Sequence, residues 1–149
     1  MRKTKEFEIK DGEQTIRVRV TRMPAQAGMD FVTDACCILG VESFGALLKM
    51  DKAQAAQAIT FASRKNEDIK GLLDRLLACC ERVTDAGGTV QLSRATIDGQ
   101  VSEWFTVLQL YAAALGVNFD FFGGSNLKTY RAALTSLGQQ IRSGAWLSS

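Results

Sequence analysis

The chain has 149 residues, 46% of them hydrophobic and 23% charged, which is typical of one globular domain. Its 18 basic and 16 acidic residues leave a net charge of +2, too small for the concentrated basic surface of a nucleic-acid-binding protein. Because histidine is absent, Ser-His-Asp catalysis, Cys-His catalysis and zinc binding through imidazole are excluded. No pair of carboxylates is spaced for acid–base chemistry, so we expect a protein that is not an enzyme and holds no cofactor.

The N-terminal segment MRKTKEFEIK lacks the apolar stretch that a signal peptide needs. No apolar run in the chain approaches the roughly 20 residues of a membrane span. We therefore expect a cytoplasmic protein that does not contact a membrane.

Residues 4–22 predict a β-hairpin. Asp11-Gly12 separates two stretches of alternating apolar residues, and this dipeptide favours a two-residue turn in which both residues have positive φ. Two strands alone are marginally stable, so their apolar face must pack on helices or on a partner's sheet. The expected register pairs Lys10 with Glu13, Ile9 with Gln14, Glu8 with Thr15, Phe7 with Ile16 and Glu6 with Arg17.

Helical periodicity dominates the next sixty residues. Gly40 is predicted to end the first helix, and Asp51 and Asn66 have the right type and position for N-caps of later ones. The alanine-rich helix after Asp51 has only Ile59 and Phe61 as large anchors. The predicted helices are Ala25–Leu39, Glu42–Met50, Lys52–Ala62 and Glu67–Thr84.

The four cysteines form two adjacent pairs, Cys36-Cys37 and Cys79-Cys80. Neighbouring residues in a helix point about 100° apart, so neither pair can hold one metal ion as a C-x-x-C motif does. A zinc site of four thiolates would need both pairs to converge with distorted geometry. We favour small buried thiols on helices in a reducing compartment.

Residues 89–98 are interpreted as a loop with one short strand, although Asp98-Gly99 leaves a second hairpin open. Two glycine pairs, in Gly87-Gly88-Thr89 and Gly123-Gly124-Ser125-Asn126, could offer backbone donors to a phosphate. Neither belongs to a P-loop or a G-x-G-x-x-G motif, and no strand clearly precedes either. A turn with a helix cap is the favoured interpretation.

The chain is organised around residues 101–122, VSEWFTVLQLYAAALGVNFDFF. A helix over Val101–Leu115 would be apolar around most of its girth, with only a narrow polar strip that includes Thr106. We expect this helix to be the central rod of the core and to end at Gly116.

An aromatic cluster, Phe119, Phe121 and Phe122, follows this helix. Core packing is favoured for any single phenylalanine. Three of them within four positions cannot all point inward, so we expect at least one to be exposed as an anchor for a partner helix, or covered by a flexible element. A last helix is predicted after Ser125 or Asn126.

These elements predict a fold that is mainly α with an N-terminal β-hairpin. It is an α+β architecture in which about five to six helices form one compact domain. The single domain is expected to span residues 1–149, with the hairpin over about residues 4–22 and the helical body over about residues 24–143.

One pattern in the chain runs from Val101-Ser102-Glu103-Trp104-Phe105 through Leu108, Leu110 and Ala114 to Asn118-Phe119-Asp120-Phe121-Phe122. Before it, a hairpin leads into Met23-Pro24-Ala25, and a helix closes at Leu39-Gly40. In order of elements, these features resemble the tail assembly chaperones of long-tailed bacteriophages and prophages over roughly residues 4–122.

The resemblance implies a non-enzymatic chaperone that keeps the long helical tape-measure protein soluble and helps tail tube subunits assemble on it. It implies the host bacterial cytoplasm as location and absence from the mature virion. The expected partners are the tape-measure protein and the tail tube protein, with self-association left open and with no nucleic acid. A structural tail or connector component that stays in the virion is the alternative. The expected protein-interaction residues are Trp104, Asn118, Phe119, Asp120, Phe121 and Phe122.

Overall fold

The computed structural model describes residues 3–119. In this part of the chain a hairpin is followed by four helices, two more strands and two further helices, so the predicted mainly α, α+β class is confirmed. The predicted last helix lies outside the described residues. The elements are β1 (Thr4–Asp11), β2 (Gln14–Thr21), α1 (Ala25–Leu39), α2 (Val41–Lys49), α3 (Lys52–Ser63), α4 (Glu67–Leu77), β3 (Cys80–Val83), β4 (Thr89–Gln91), α5 (Ile97–Gln100) and α6 (Trp104–Phe119).

The first three helices lie within a residue of their predicted bounds because local signals fix their ends. Gly40, with a φ of 91°, follows α1. The carboxylate of Asp51 accepts a hydrogen bond from the backbone N–H of Ala53 at 3.2 Å and caps α3. The side-chain oxygen of Asn66 caps α4 in the same way through the N–H of Asp68 at 2.9 Å.

Within the described residues no single helix is both long enough and apolar enough to cross a membrane. The helices α1 and α2 satisfy that criterion only when they are taken together, as a pair bent by 115°.

The predicted helix Glu67–Thr84 is wrong beyond Leu77. Residues Cys80–Val83 instead form β3, which pairs antiparallel with β2, so Cys80 lies on a strand and not on a helix. This pairing gives hydrogen-bond partners to backbone groups along the second edge of β2, which a longer helix would leave without them. The local apolar pattern of this segment fits a helix as well as a strand, and the tertiary pairing decides between them.

Two short elements follow β3. The strand β4 pairs antiparallel with β3 and completes a sheet of order β1-β2-β3-β4. It is the one short strand that was expected within residues 89–98. The four-residue helix α5, over Ile97–Gln100, takes the place of the second hairpin that Asp98-Gly99 had left open.

The hairpin turn lies one residue further along the chain than predicted. Gly12 and Glu13 form the loop, and Asp11 pairs with Gln14. Gly12 has a φ of 66°, whereas no described residue other than glycine has a positive φ, which fits a turn with glycine at its first central position only. Each β1 residue therefore pairs two positions away from its expected partner, and the same side chains stay inside because alternate residues share a face. The observed pairs include Phe7 with Val18, Ile9 with Ile16, Glu8 with Arg17 and Lys10 with Thr15.

The opposite face of the hairpin carries charges. Glu6 forms ion pairs with Arg17 and Arg19, each at 3.1 Å. The predicted attraction between Glu6 and Arg17 is therefore present, although the two residues are diagonal neighbours. The predicted pairing of Lys10 with Glu13 is wrong because Glu13 lies in the loop.

The helix α6 lies against the inner face of the sheet and packs most extensively on α3. Its buried face follows Thr106, Leu110 and Ala114, whereas Trp104 and Phe105 point outward. The helix α6 is therefore rotated about its axis relative to the prediction, since Thr106 was expected on the polar strip and is only 1% exposed.

The predicted end of this helix at Gly116 is also wrong. The helix continues through Gly116 to Phe119, the last described residue. Glycine inside a helix costs about 1 kcal/mol, and burial of Val117 and Phe119 beyond it outweighs that cost.

The carboxylate of Asp11 joins the hairpin to the start of α6. Its Oδ2 accepts the backbone N–H of Ser102 at 2.8 Å, and its Oδ1 accepts the N–H of Glu103 at 2.9 Å. The hydroxyl of Thr106 donates to Oδ1 at 2.9 Å, and the amide of Gln14 donates to Oδ2 at 3.2 Å. Asp11 is 1% exposed, so this buried charge fixes the backbone just before α6, at the helix N-terminus where a negative charge is favourable.

Burial alone would raise the pKa of Asp11, but the hydrogen bonds from Ser102, Glu103, Thr106 and Gln14 outweigh burial and lower it. The lowered pKa means that the ionised carboxylate stabilises the fold. This contribution is complete above the pKa of the unfolded carboxyl, about 3.9, and is lost as the pH falls through the lower folded value.

We predict that Asp11→Asn lowers the free energy of unfolding by about 2–3 kcal/mol near neutral pH, because an amide offers one acceptor and sets its own N–H groups against the donors. Urea unfolding followed by circular dichroism measures this difference. The exposed Asp85→Asn is the matched control and should be close to neutral. Equal stability of the two variants, or a difference that does not shrink in acid, would contradict the role of Asp11.

Candidate functional site

The helices α3 and α6 form the walls of an exposed apolar groove. Its volume is about 670 Å³. Both walls are continuous helices that pack on each other. The described lining residues are Gln57, Thr60, Phe61, Arg64, Trp104, Val107, Leu108 and Tyr111.

Large aromatic side chains stand at the mouth of this groove. Phe61 is 78% exposed and Trp104 is 74% exposed, although both are among the largest apolar residues in the chain. Phe105, beside them, is 51% exposed and meets the Trp104 ring edge-on at a centroid distance of 5.8 Å. A contiguous exposed apolar patch of this kind marks a binding surface in a soluble protein.

The sequence-based assignment of Phe61 as a core anchor is wrong. The buried face of α3 follows Ala55, Ala56, Ile59 and Ser63. Phe61 comes two positions after Ile59, about 200° around the helix, and therefore lies on the opposite side. The alanines at helical spacing indicated which face of α3 is buried. Close packing of α3 against α6 needs small side chains such as alanine more than it needs a large one.

The groove is weakly polar. Arg64 is the one charged residue among its described lining residues. The hydroxyl of Thr60, a lining residue, donates to the carbonyl of Ala56 at 2.7 Å and so has its partner within α3. Burial raises the pKa of the Tyr111 phenol, and the nearby Asp74 carboxylate raises it further, so Tyr111 is neutral. The site is suited to apolar side chains flanked by an acidic group, not to proton transfer.

Of the predicted interaction residues, Trp104 lies at this groove, and Asn118 and Phe119 do not. Phe119 is 3% exposed and contacts Phe31 and Phe44 at ring-centroid distances of 5.8 and 5.9 Å. Phe119 thus fills the core, so its expected place near the binding surface is corrected to an interior one.

Asn118 is also buried, and each end of its amide has a partner. Its Oδ1 accepts the backbone N–H of Met23 at 2.9 Å, and its Nδ2 donates to the carbonyl of Ala114 at 2.9 Å. Asn118 therefore fixes the end of α6 to the junction between β2 and α1, which is a structural role. Asp120, Phe121 and Phe122 lie outside the described residues.

The cysteines belong to no group of side chains that could hold a metal ion within residues 3–119. None of the four cysteines forms a disulfide; Cys36, Cys79 and Cys80 are buried, whereas Cys37 is exposed. Burial raises the pKa of Cys36 to about 11, with a smaller contribution from Cys37, and burial raises the pKa of Cys80 as well. The described part of the chain contains no cluster of three or more acidic or cysteine side chains that could hold a metal ion.

Comparisons of this chain with protein-family models, with curated proteins and with solved structures found no match. The functional assignment therefore depends on the site and on the resemblance described above.

The core and surface positions of α6 can be separated experimentally. We predict that Phe119→Ala lowers the free energy of unfolding by about 3–5 kcal/mol because it leaves a cavity between Phe31 and Phe44. Trp104→Ala should change stability by less than about 0.5 kcal/mol, since an exposed side chain loses little on truncation. Urea unfolding of both variants measures this contrast, and a neutral Phe119→Ala would contradict the interior position of Phe119.

Proposed function

We propose that this protein is a non-enzymatic tail assembly chaperone of a long-tailed bacteriophage or prophage, and that the α3–α6 groove holds helical segments of the tape-measure protein. The observation that carries this proposal is the exposure of Phe61 and Trp104 on two helices that pack on each other. Such exposure does not stabilise an isolated globular protein, because burying a large aromatic side chain would contribute about 1.5–3 kcal/mol to its stability.

The geometry of the groove suits an amphipathic helix as the client. A helix laid between α3 and α6 would place side chains at i, i+3, i+4 and i+7 against the aromatic walls. The tape-measure protein is long and helical, so before the tube surrounds it many such apolar faces need cover. Arg64 at the rim would favour segments with an acidic residue beside their apolar face.

The weak polarity of the groove supports reversible binding of the client protein. Apolar contacts without a fixed set of hydrogen bonds tolerate many related sequences, which a chaperone of a long client needs. We propose that the protein works in the host cytoplasm, hands the tape-measure protein over as tail tube subunits assemble, and is absent from the virion.

Co-expression with the tape-measure protein of the same genome, followed by pull-down, tests the proposal. We predict that Trp104→Glu and Phe61→Glu each weaken retention by about tenfold or more, because a carboxylate cannot enter an apolar groove without a partner. Met29→Glu is the matched control: Met29 is 62% exposed on α1, which does not line the groove, and its substitution should leave retention unchanged.

Failure of the native protein to retain a tape-measure protein would overturn the proposal, as would equal loss with Met29→Glu. Mass spectrometry of purified virions separates the alternative: a structural tail or connector component would be found in the particle, whereas a chaperone would not.

A further inference from the structure

The strand β1 is an open edge of the sheet within the described residues. The N–H of Arg22 donates to the carbonyl of Lys3 at 2.8 Å, and Lys3 and Arg22 continue the β1–β2 register. In an antiparallel pair, hydrogen-bonded and non-bonded positions alternate, so the odd-numbered residues of β1 bond to β2. The peptide groups of Thr4, Glu6, Glu8 and Lys10 therefore point away from β2, and no strand among residues 3–119 pairs with them.

Beside this edge lies a second cavity, of about 500 Å³, between β1 and α6. Its floor is apolar, formed by Phe7 and Ile9 together with small residues of α6. An added strand would therefore find apolar surface below its side chains as well as a free backbone edge. The charged residues around the cavity are Lys3, Lys5, Lys10, Lys52 and Glu8.

Two polar groups in the cavity are incompletely satisfied. The side-chain oxygen Oε1 of Gln109 is buried and accepts no hydrogen bond. The ammonium group of Lys52 donates to the carbonyl of Leu48 at 3.0 Å, and burial lowers its pKa although the neighbouring Asp51 counteracts this. A backbone N–H of an extended peptide would satisfy the Gln109 oxygen, and a carboxylate of that peptide would pair with the Lys52 ammonium group.

The positive charge around the cavity distinguishes between three candidate occupants of the β1 edge. The segment at residues 120–149 contains one acidic residue, Asp120, against Lys128, Arg131 and Arg142, so it would add positive charge to a cationic rim. A second copy of β1 would bring Lys5 and Lys10 together with Glu6 and Glu8, so it would add cations to this rim along with its carboxylates. An acidic extended segment of a different protein matches both the lysines and the backbone edge.

We propose that β1 accepts an extended acidic segment of a partner protein as an additional strand, with its carboxylates directed to Lys5, on the inner face of β1, and to Lys52. This surface is separate from the α3–α6 groove. The residues that α6 contributes to the two sites differ by five positions, for example Trp104 and Gln109, which places them about 140° apart around the helix. Both surfaces can therefore be occupied together.

The test uses the full chain and a fluorescent peptide of about ten residues that alternates glutamate and threonine, a length that covers one strand. Fluorescence anisotropy should show saturable binding that weakens as salt is added. We predict that Lys52→Glu weakens binding by about tenfold or more. Lys65→Glu, the same charge change at an exposed lysine that does not line the cavity, should change binding by less than about twofold.

Amide hydrogen exchange by NMR reports the strand pairing directly. At peptide saturation the backbone amides of Glu6, Glu8 and Lys10 should exchange at least about tenfold more slowly than in the free protein. The amides of Phe7 and Ile9 are already bonded to β2, so their exchange rates should change little. A second peptide in which lysine replaces glutamate should not bind.

Three results would overturn the proposal: no binding of the glutamate peptide, equal binding of the lysine peptide, or binding without protection of the outward amides. Protection of these amides in the free protein together with a dimer in sedimentation would show that a second copy pairs with β1 instead. Retention of a tape-measure protein by the groove is measured separately, so either site can fail alone.

Discussion

The position of α6 depends on one carboxylate, that of Asp11. It lies at the end of β1, about ninety residues before α6, and it accepts hydrogen bonds from the two backbone N–H groups just before this helix and from the Thr106 hydroxyl in its first turn. Because Asp11 pulls Thr106 inward, the rotation of α6 is set, and Trp104 and Phe105 are turned outward. At the other end, Asn118 holds α6 to the β2–α1 junction. The aromatic residues are thus exposed on a helix that is fixed at both ends.

The parts of the fold with local causes could be predicted from the sequence. The N-caps Asp51 and Asn66 and the glycine after α1 fixed helix ends within a residue or so, because capping is decided by side chains close in sequence. The apolar face of the hairpin was also predictable, since a shift of two residues keeps the same side chains inside. The register itself depends on the turn type and on the use of Asp11 as a partner for α6, which no local pattern shows.

The candidate site was only partly predictable for the same reason. Trp104 was expected at an interaction surface, but Phe61 was assigned to the core because its size was weighed above its helical phase. Phe119 was expected near the surface, whereas Phe31 and Phe44 enclose it. The Asn118-Phe119 pair, which carries much of the resemblance to tail assembly chaperones, thus has a structural reason to be present. The strand β3 could not be predicted because its pairing with β2 is a tertiary effect.

The central functional claim is that the groove between α3 and α6 holds a helix of another protein. Photo-crosslinking in cells that produce the tail proteins tests it most directly, with a photoreactive residue replacing Leu108 in the groove or Asp30 on α1 as the control. The proposal predicts that the probe at position 108 crosslinks to the tape-measure protein and that the probe at position 30 does not. Equal crosslinking from both positions, or none from position 108 in cells where the tape-measure protein is present, would contradict it.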